Sequence, residues 1–145
     1  MSDIPEMASG MLGEAVKGVS AEHIRDVFVR YGEAHSAGDI EGILALFAED
    51  AAVRDPVNAP EHRGKPALRA FFSAGKEASG GAMEMKLEGE VRIAGNEAAA
   101  AYIVRTLNSK PVFRVATLDV MTFDDDGLIT QMLAYWGPEN FHEEG

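Results

Sequence analysis

Apolar residues recur along this chain with two different periods. Ile24, Val27, Phe28, Tyr31 and His35 follow one another at spacings of three and four, which draws one stripe on a helix. Ser20 suits the N-cap of that helix, Glu22 lies where an acid favours the helix dipole, and Gly38 suits the position just past its end. Asp39 is placed to cap a second helix with the stripe Ile40, Ile43, Leu44 and Phe47, so Gly38-Asp39 predicts a tight helix–helix corner. Ala51-Ala52-Val53-Arg54-Asp55 predicts a short strand stopped by Pro56, which removes a ladder donor. Pro66 then opens a third helix that carries Leu68, Phe71 and Phe72.

After Gly80-Gly81 the period drops to two, with Met83, Met85 and Leu87 alternating with Glu84, Lys86 and Glu88. Val91 to Ala94, the Gly95-Asn96 turn and Ala98 to Thr106 predict a hairpin. A long strand is expected from Phe113 to Phe123, a turn at Asp124-Asp125-Asp126-Gly127, and a last strand from Leu128 to Trp136. Helices first and an antiparallel meander afterwards is the pattern of an α+β fold with a curved sheet. Residues 1–18 are Gly-, Met- and Ala-rich with weak periodicity and are expected to form a loose extension, leaving 19–145 as one domain.

Composition narrows the function classes. The chain has 145 residues, near the commonest size for one domain. Its 13 Lys and Arg against 24 Asp and Glu give a net charge of −11, which argues against nucleic acid and anionic membranes as partners. There is no cysteine, so disulfides, thiolate catalysis and thiolate-held metals are excluded. The N-terminus does not read as a signal peptide, no apolar run is long enough to span a bilayer, and a cytoplasmic location is expected. His23, His35, His62 and His142 lack metal-ligand spacing, and there is neither a phosphate-binding glycine loop nor a nucleophile elbow. No metal or cofactor is expected. Asp124 to Asp126 lacks the rest of a calcium loop and reads as a solvated turn.

The most informative carboxylate is Asp119. With period two, Phe113, Val115, Thr117, Asp119, Met121 and Phe123 share one face of their strand, so Asp119 stands in a mainly apolar row. Burial there raises a carboxyl pKa, and a carboxylic acid kept neutral can donate a hydrogen bond. The competing reading is an exposed aspartate on a half-wetted face. Tyr31 lies on the apolar stripe of the first helix, where a tyrosine is either a core residue or the lining of a site. Asp55 ends its strand before Pro56, in a dipeptide that is also common in plain turns.

Several segments carry a family resemblance. Val29-Arg30-Tyr31-Gly32-Glu33-Ala34-His35-Ser36-Ala37-Gly38-Asp39 is similar to the first helix of ketosteroid isomerases. The resemblance continues through Gly42 to Ala51, Val53-Arg54-Asp55-Pro56-Val57, Glu90-Val91-Arg92, Asn96 to Ala99, and Ala116-Thr117-Leu118-Asp119. The tail from Met132 to Asn140 looks like the last strand of that family. The helix-Gly-Asp-helix opening is shared across the wider superfamily with the nuclear-transport-factor-like cone fold, whereas Tyr31, Asp55-Pro56 and Asp119 in register are more specific.

The resemblance implies N-terminal helices packed in the concave face of a curved, mostly antiparallel sheet. It implies a general base at Asp55, and oxyanion donors at Tyr31 and a protonated Asp119, acting on a small apolar 3-oxo-Δ5 steroid. That division of labour is the known ketosteroid-isomerase pattern and is taken over from it. Met83, Met85, Met121, Phe123 and Trp136 are expected as apolar walls of the substrate site, and a homodimer through the open sheet face is implied. Two departures stand out: Phe72 occupies the position of the family's supporting tyrosine, and His35 that of an apolar pocket residue. Two other readings compete: a cone-fold polyketide cyclase or dehydratase acting on another enolisable ligand, and a non-catalytic module binding an apolar ligand.

Overall fold

A computed structural model of the chain describes residues 19–144 together with Ala8 and Met11, so most of the expected 1–18 extension lies outside the described residues. Helix α1 spans Ala21–Ala37, with the Ser20 side chain accepting from His23 N–H and Gly38 closing it at φ 66°. Ile24, Val27, Phe28 and Tyr31 are buried on one stripe, as their spacing predicts. Helix α2 is a short Ile40–Leu44, capped by the Asp39 side chain accepting from Gly42 N–H. Phe47 therefore does not extend the second helix, a correction to the stripe read from sequence. It begins strand β1, Phe47–Arg54, and is still buried, so one apolar residue satisfies either period.

Strand β2 is the pair His62–Arg63, and helix α3 is Lys65–Ala78 with proline in its first turn. The meander follows as β3 Met83–Ala94, β4 Glu97–Thr106, β5 Val112–Phe123 and β6 Ile129–Tyr135, and β7 Phe141–Glu144 closes the chain. The sheet runs β2-β1-β6-β5-β4-β3, with β7 beside the start of β5. Among the described residues, only β1 against β6 is parallel. Register shifts in β3, at the end of β5 and within β1 bend the sheet, as bulges do, and α1 lies in its hollow against β3 and β4. The architecture is the α+β cone expected from the helices-then-meander order.

The closeness of α1 to the sheet depends on a missing side chain. A Cβ at Gly32 would sit 3.0 Å from the Met85 carbonyl oxygen and 3.2 Å from Tyr102 Cε1. One turn on, the Ser36 hydroxyl accepts from Met85 N–H at 2.8 Å, and the buried Tyr102 hydroxyl donates to the Phe28 carbonyl at 2.6 Å. These contacts fix α1 over the rows that begin at Leu87-Tyr102 and Met85-Val104. The first row continues on β5 at Thr117 and the second at Val115. Tyr31 is thereby held beside Tyr102, with ring centroids 6.0 Å apart.

Candidate active site

Asp119 faces inward from the middle of β5 and is 2% exposed, which settles the choice between a buried and a half-wetted aspartate. Its partners in register are Ala100 on β4 and Ala134 on β6. Two alanines leave space above the sheet at that point, and the carboxyl group opens onto it. Tyr31 projects from α1 over the same space, 1% exposed, its ring edge-on to His35, Phe47 and Phe72. Asp55 lies one residue beyond β1 and Trp136 one residue beyond β6. Because β1 and β6 run parallel with Arg54 beside Leu133, both strand ends open on the same side. The Trp136 indole N–H donates to Asp55 Oδ1 at 2.6 Å.

Tyr31, Asp55 and Asp119 line one cavity of about 360 Å³, within the ordinary size of small-molecule sites. The remaining wall is mostly apolar, with Phe71, Phe72, Met83, Met85, Val104 and Val115 prominent. His35 and Trp136 also line it. Met121 and Phe123 do not: they are 0% and 2% exposed in the hydrophobic core, which corrects their expected place on the wall. They share the Asp119 face but belong to the core cluster that also holds Ile24, Phe28, Ile43 and Leu44.

The electrostatics separate the two carboxyls. Burial, and then the nearby charge of Asp55, push Asp119 well above the usual carboxylate range, which favours its protonated form. Asp55 is raised less simply: burial raises it, while the Trp136 hydrogen bond and the His62 charge stabilise its ionised form. Burial, followed by the charges of Asp119 and Asp55, also pushes the Tyr31 hydroxyl up, so it stays a donor. One cavity thus holds two donors that burial keeps neutral and a third group, Asp55, whose rise is limited by Trp136 and His62. Burial lowers His35 to about 4, so its imidazole is neutral at neutral pH.

Phe72 packs against Tyr31 with centroids 6.4 Å apart, and as a phenylalanine it offers the tyrosine hydroxyl no hydrogen bond. The Trp136–Asp55 bond is the main feature that sequence reasoning missed, because the aromatic pattern marks Trp136 only as a wall. His62, stacked on Phe71 at 4.5 Å, acts on the same carboxylate through its charge, which its place in the sequence does not announce. Among the described residues, no group of three or more His, Asp or Glu is placed to hold a metal, and no helix is long and apolar enough to cross a membrane.

Trp136→Phe removes a hydrogen bond to an ionised group, an interaction of about 1.5–3 kcal/mol, and should raise the Asp55 pKa further. If Asp55 works ionised, the acidic limb of the kcat/KM profile moves to higher pH in this variant. An unmoved limb would mean that the indole does not tune the carboxylate.

Comparison with known proteins places this geometry in a context. Residues 28–132 match the SnoaL-like domain. The steroid Delta-isomerase of Nocardioides simplex is 38% identical over 120 residues, covering 83% of this chain and 94% of that protein. Among solved structures, the epoxide hydrolase/cyclase-like enzyme SalBIII, with a role in pyran ring formation in the polyether salinomycin, superposes with a TM-score of 0.76. That match covers 85% of this chain and 97% of the other at 22% identity, which is a likeness of fold.

Proposed function

The chain belongs to the SnoaL-like domain family, and from that membership and its converging acidic groups we propose that it is a steroid Δ5-isomerase. The carrying observation is that Tyr31, Asp55 and Asp119 line one largely apolar cavity, with Asp119 buried where a neutral acid is favoured. The name of the 38% identical relative supports the same reading.

In this reading the ketone oxygen of a 3-oxo-Δ5 steroid lies between the Tyr31 hydroxyl and the Asp119 carboxyl. Asp55 takes a proton from the carbon between the carbonyl and the double bond. The electron pair moves through the conjugated system onto oxygen, where two donors stabilise the dienolate. Asp55 then returns the proton to the far carbon, the carbonyl reforms, and the double bond ends in conjugation. No electrons are gained or lost overall, so no redox partner is needed. The apolar wall excludes water, which strengthens each of these interactions. Purified protein mixed with 5-androstene-3,17-dione should raise the ultraviolet absorbance of the conjugated enone. Absorbance that stays at the buffer rate contradicts the assignment.

A cyclase or dehydratase acting on another enolisable ligand is favoured by one observation, the polar His35 on the wall. The same base and donors would serve it, since enolisation is the shared step. A homodimer is also proposed, through the convex face of the sheet. There Leu118 and Tyr135 are cross-strand partners, 40% and 44% exposed, beside Val120 and Leu133. Sedimentation equilibrium should give twice the chain mass and Leu118→Glu should lower it; a monomer in the parent protein contradicts this.

A further inference from the structure

Among the described residues, two buried side-chain polar atoms have no hydrogen-bond partner, both on residues of the cavity wall, and the proposed proton transfer uses neither. They are His35 Nε2 and Thr117 Oγ1. Buried polar groups are nearly always partnered, because an unmet donor or acceptor has lost its water without compensation. Both atoms are shut off from solvent in the ligand-free protein, so a ligand oxygen in the cavity meets them once the His35 and Thr117 side chains turn towards it.

Their positions follow a simple rule. His35 is four residues beyond Tyr31 on α1, one turn or about 6 Å along the axis. Thr117 is two residues from Asp119 on the same face of β5, about 6.6 Å along the strand. Both steps lead the same way. Along α1, Phe28 and Tyr31 lie beside Tyr102, whereas Ser36 binds Met85. Along β5, Thr117 pairs with Tyr102, and Val115 pairs with Val104, the partner of Met85. Each oxyanion donor therefore has an unpartnered polar group one step farther along its own element, towards the end of the cavity where Met83 and Thr106 face each other.

We infer that His35 and Thr117 form a second polar station, which binds a hydroxyl or carbonyl oxygen on the ligand body about 6–7 Å from the enolisable ketone. The substrate class is then a polycyclic ketone carrying a second oxygen at that distance, rather than one with an unbroken apolar skeleton. The neutral imidazole either donates or accepts, and the threonine hydroxyl does both, so an alcohol or a ketone suits the pair. The station sets specificity and takes no part in moving the proton. Locating the ketone at Tyr31 and Asp119 rests on the isomerase reading, whereas the two unpartnered atoms are independent of it.

The test uses equilibrium binding, which needs no turnover. The probes are 4-androstene-3,17-dione and its 7- and 11-hydroxylated forms, bound to the full chain and to His35→Leu and Thr117→Val. The full chain should bind at least one hydroxylated form about tenfold tighter than the parent enone, the worth of one or two neutral hydrogen bonds. Each variant should lose most of that preference. Because His35→Leu removes a buried unpartnered nitrogen, its ligand-free Tm should rise by about 2–4 °C, which separates lost recognition from a damaged fold. Equal affinity for all the enones, or a preference that survives both substitutions, overturns the inference. Enone formation from 5-androstene-3,17-dione is measured alongside. Turnover without hydroxyl preference sinks this inference alone, and preference without turnover sinks the isomerase reading alone.

Discussion

Asp55→Asn is expected to slow conversion of 5-androstene-3,17-dione by about 10²–10⁴, the usual contribution of a positioned general base. The substitution keeps the shape of the side chain and an oxygen for the Trp136 indole N–H, so the fold should survive it. The amide cannot take up the proton, and that is the property removed. Loss should appear in kcat rather than KM, since the apolar wall that binds the ligand is untouched. A variant that keeps more than a tenth of the parent rate would move the base to another group. His62 would be examined first, because its charge already acts on Asp55.

Asp119→Ala should cost about 10²–10³ in turnover, the loss of one oxyanion donor. Asp119→Asn should cost less, since the amide N–H still donates. Asp119→Asn also changes stability. Asp119 is held well above its unfolded-state value of 3.8, so the native state binds a proton that the unfolded chain releases at neutral pH. Stability from that proton is fully present below pH 3.8 and is lost as pH rises through the folded value. Asp119→Asn carries no such penalty. It should be more stable than the parent at pH 7, with the gap closing as pH falls towards 4. Urea titrations at the two pH values read this directly. A parent protein that gains stability on Asp119 ionisation would show the acid to be paired and charged.

The fold was legible where one period dominates. The α1 stripe, the Gly38 stop, the Asp39 cap and the alternation of β5 each follow from short-range chemistry, and Asp119 is found because alternation puts it in an apolar row. The sequence is silent where pairing decides the structure. Strands β2 and β7 are short and polar, and become strands by docking against β1 and β5. The parallel contact of β1 with β6 brings residues 55 and 136 together, and nothing local announces it. Alternation likewise assigns Met121 and Phe123 to the cavity face without saying where the cavity ends. Tyr31 and Asp55 look like core and turn residues until the cavity joins them, which is why resemblance found them and periodicity did not. Phe72 and His35 were visible as departures, but their consequences needed the structure: an aromatic edge without a hydrogen bond, and an imidazole nitrogen without a partner.

The central claim is that two carboxyls in one cavity hold opposite protonation states at neutral pH. Carbon-13 NMR of the aspartate carboxyls, assigned through Asp55→Asn and Asp119→Asn, tests it most directly. At pH 7 the account predicts an ionised Asp55 and a protonated Asp119. An Asp119 that titrates in the usual carboxylate range and is ionised at pH 7 would contradict it.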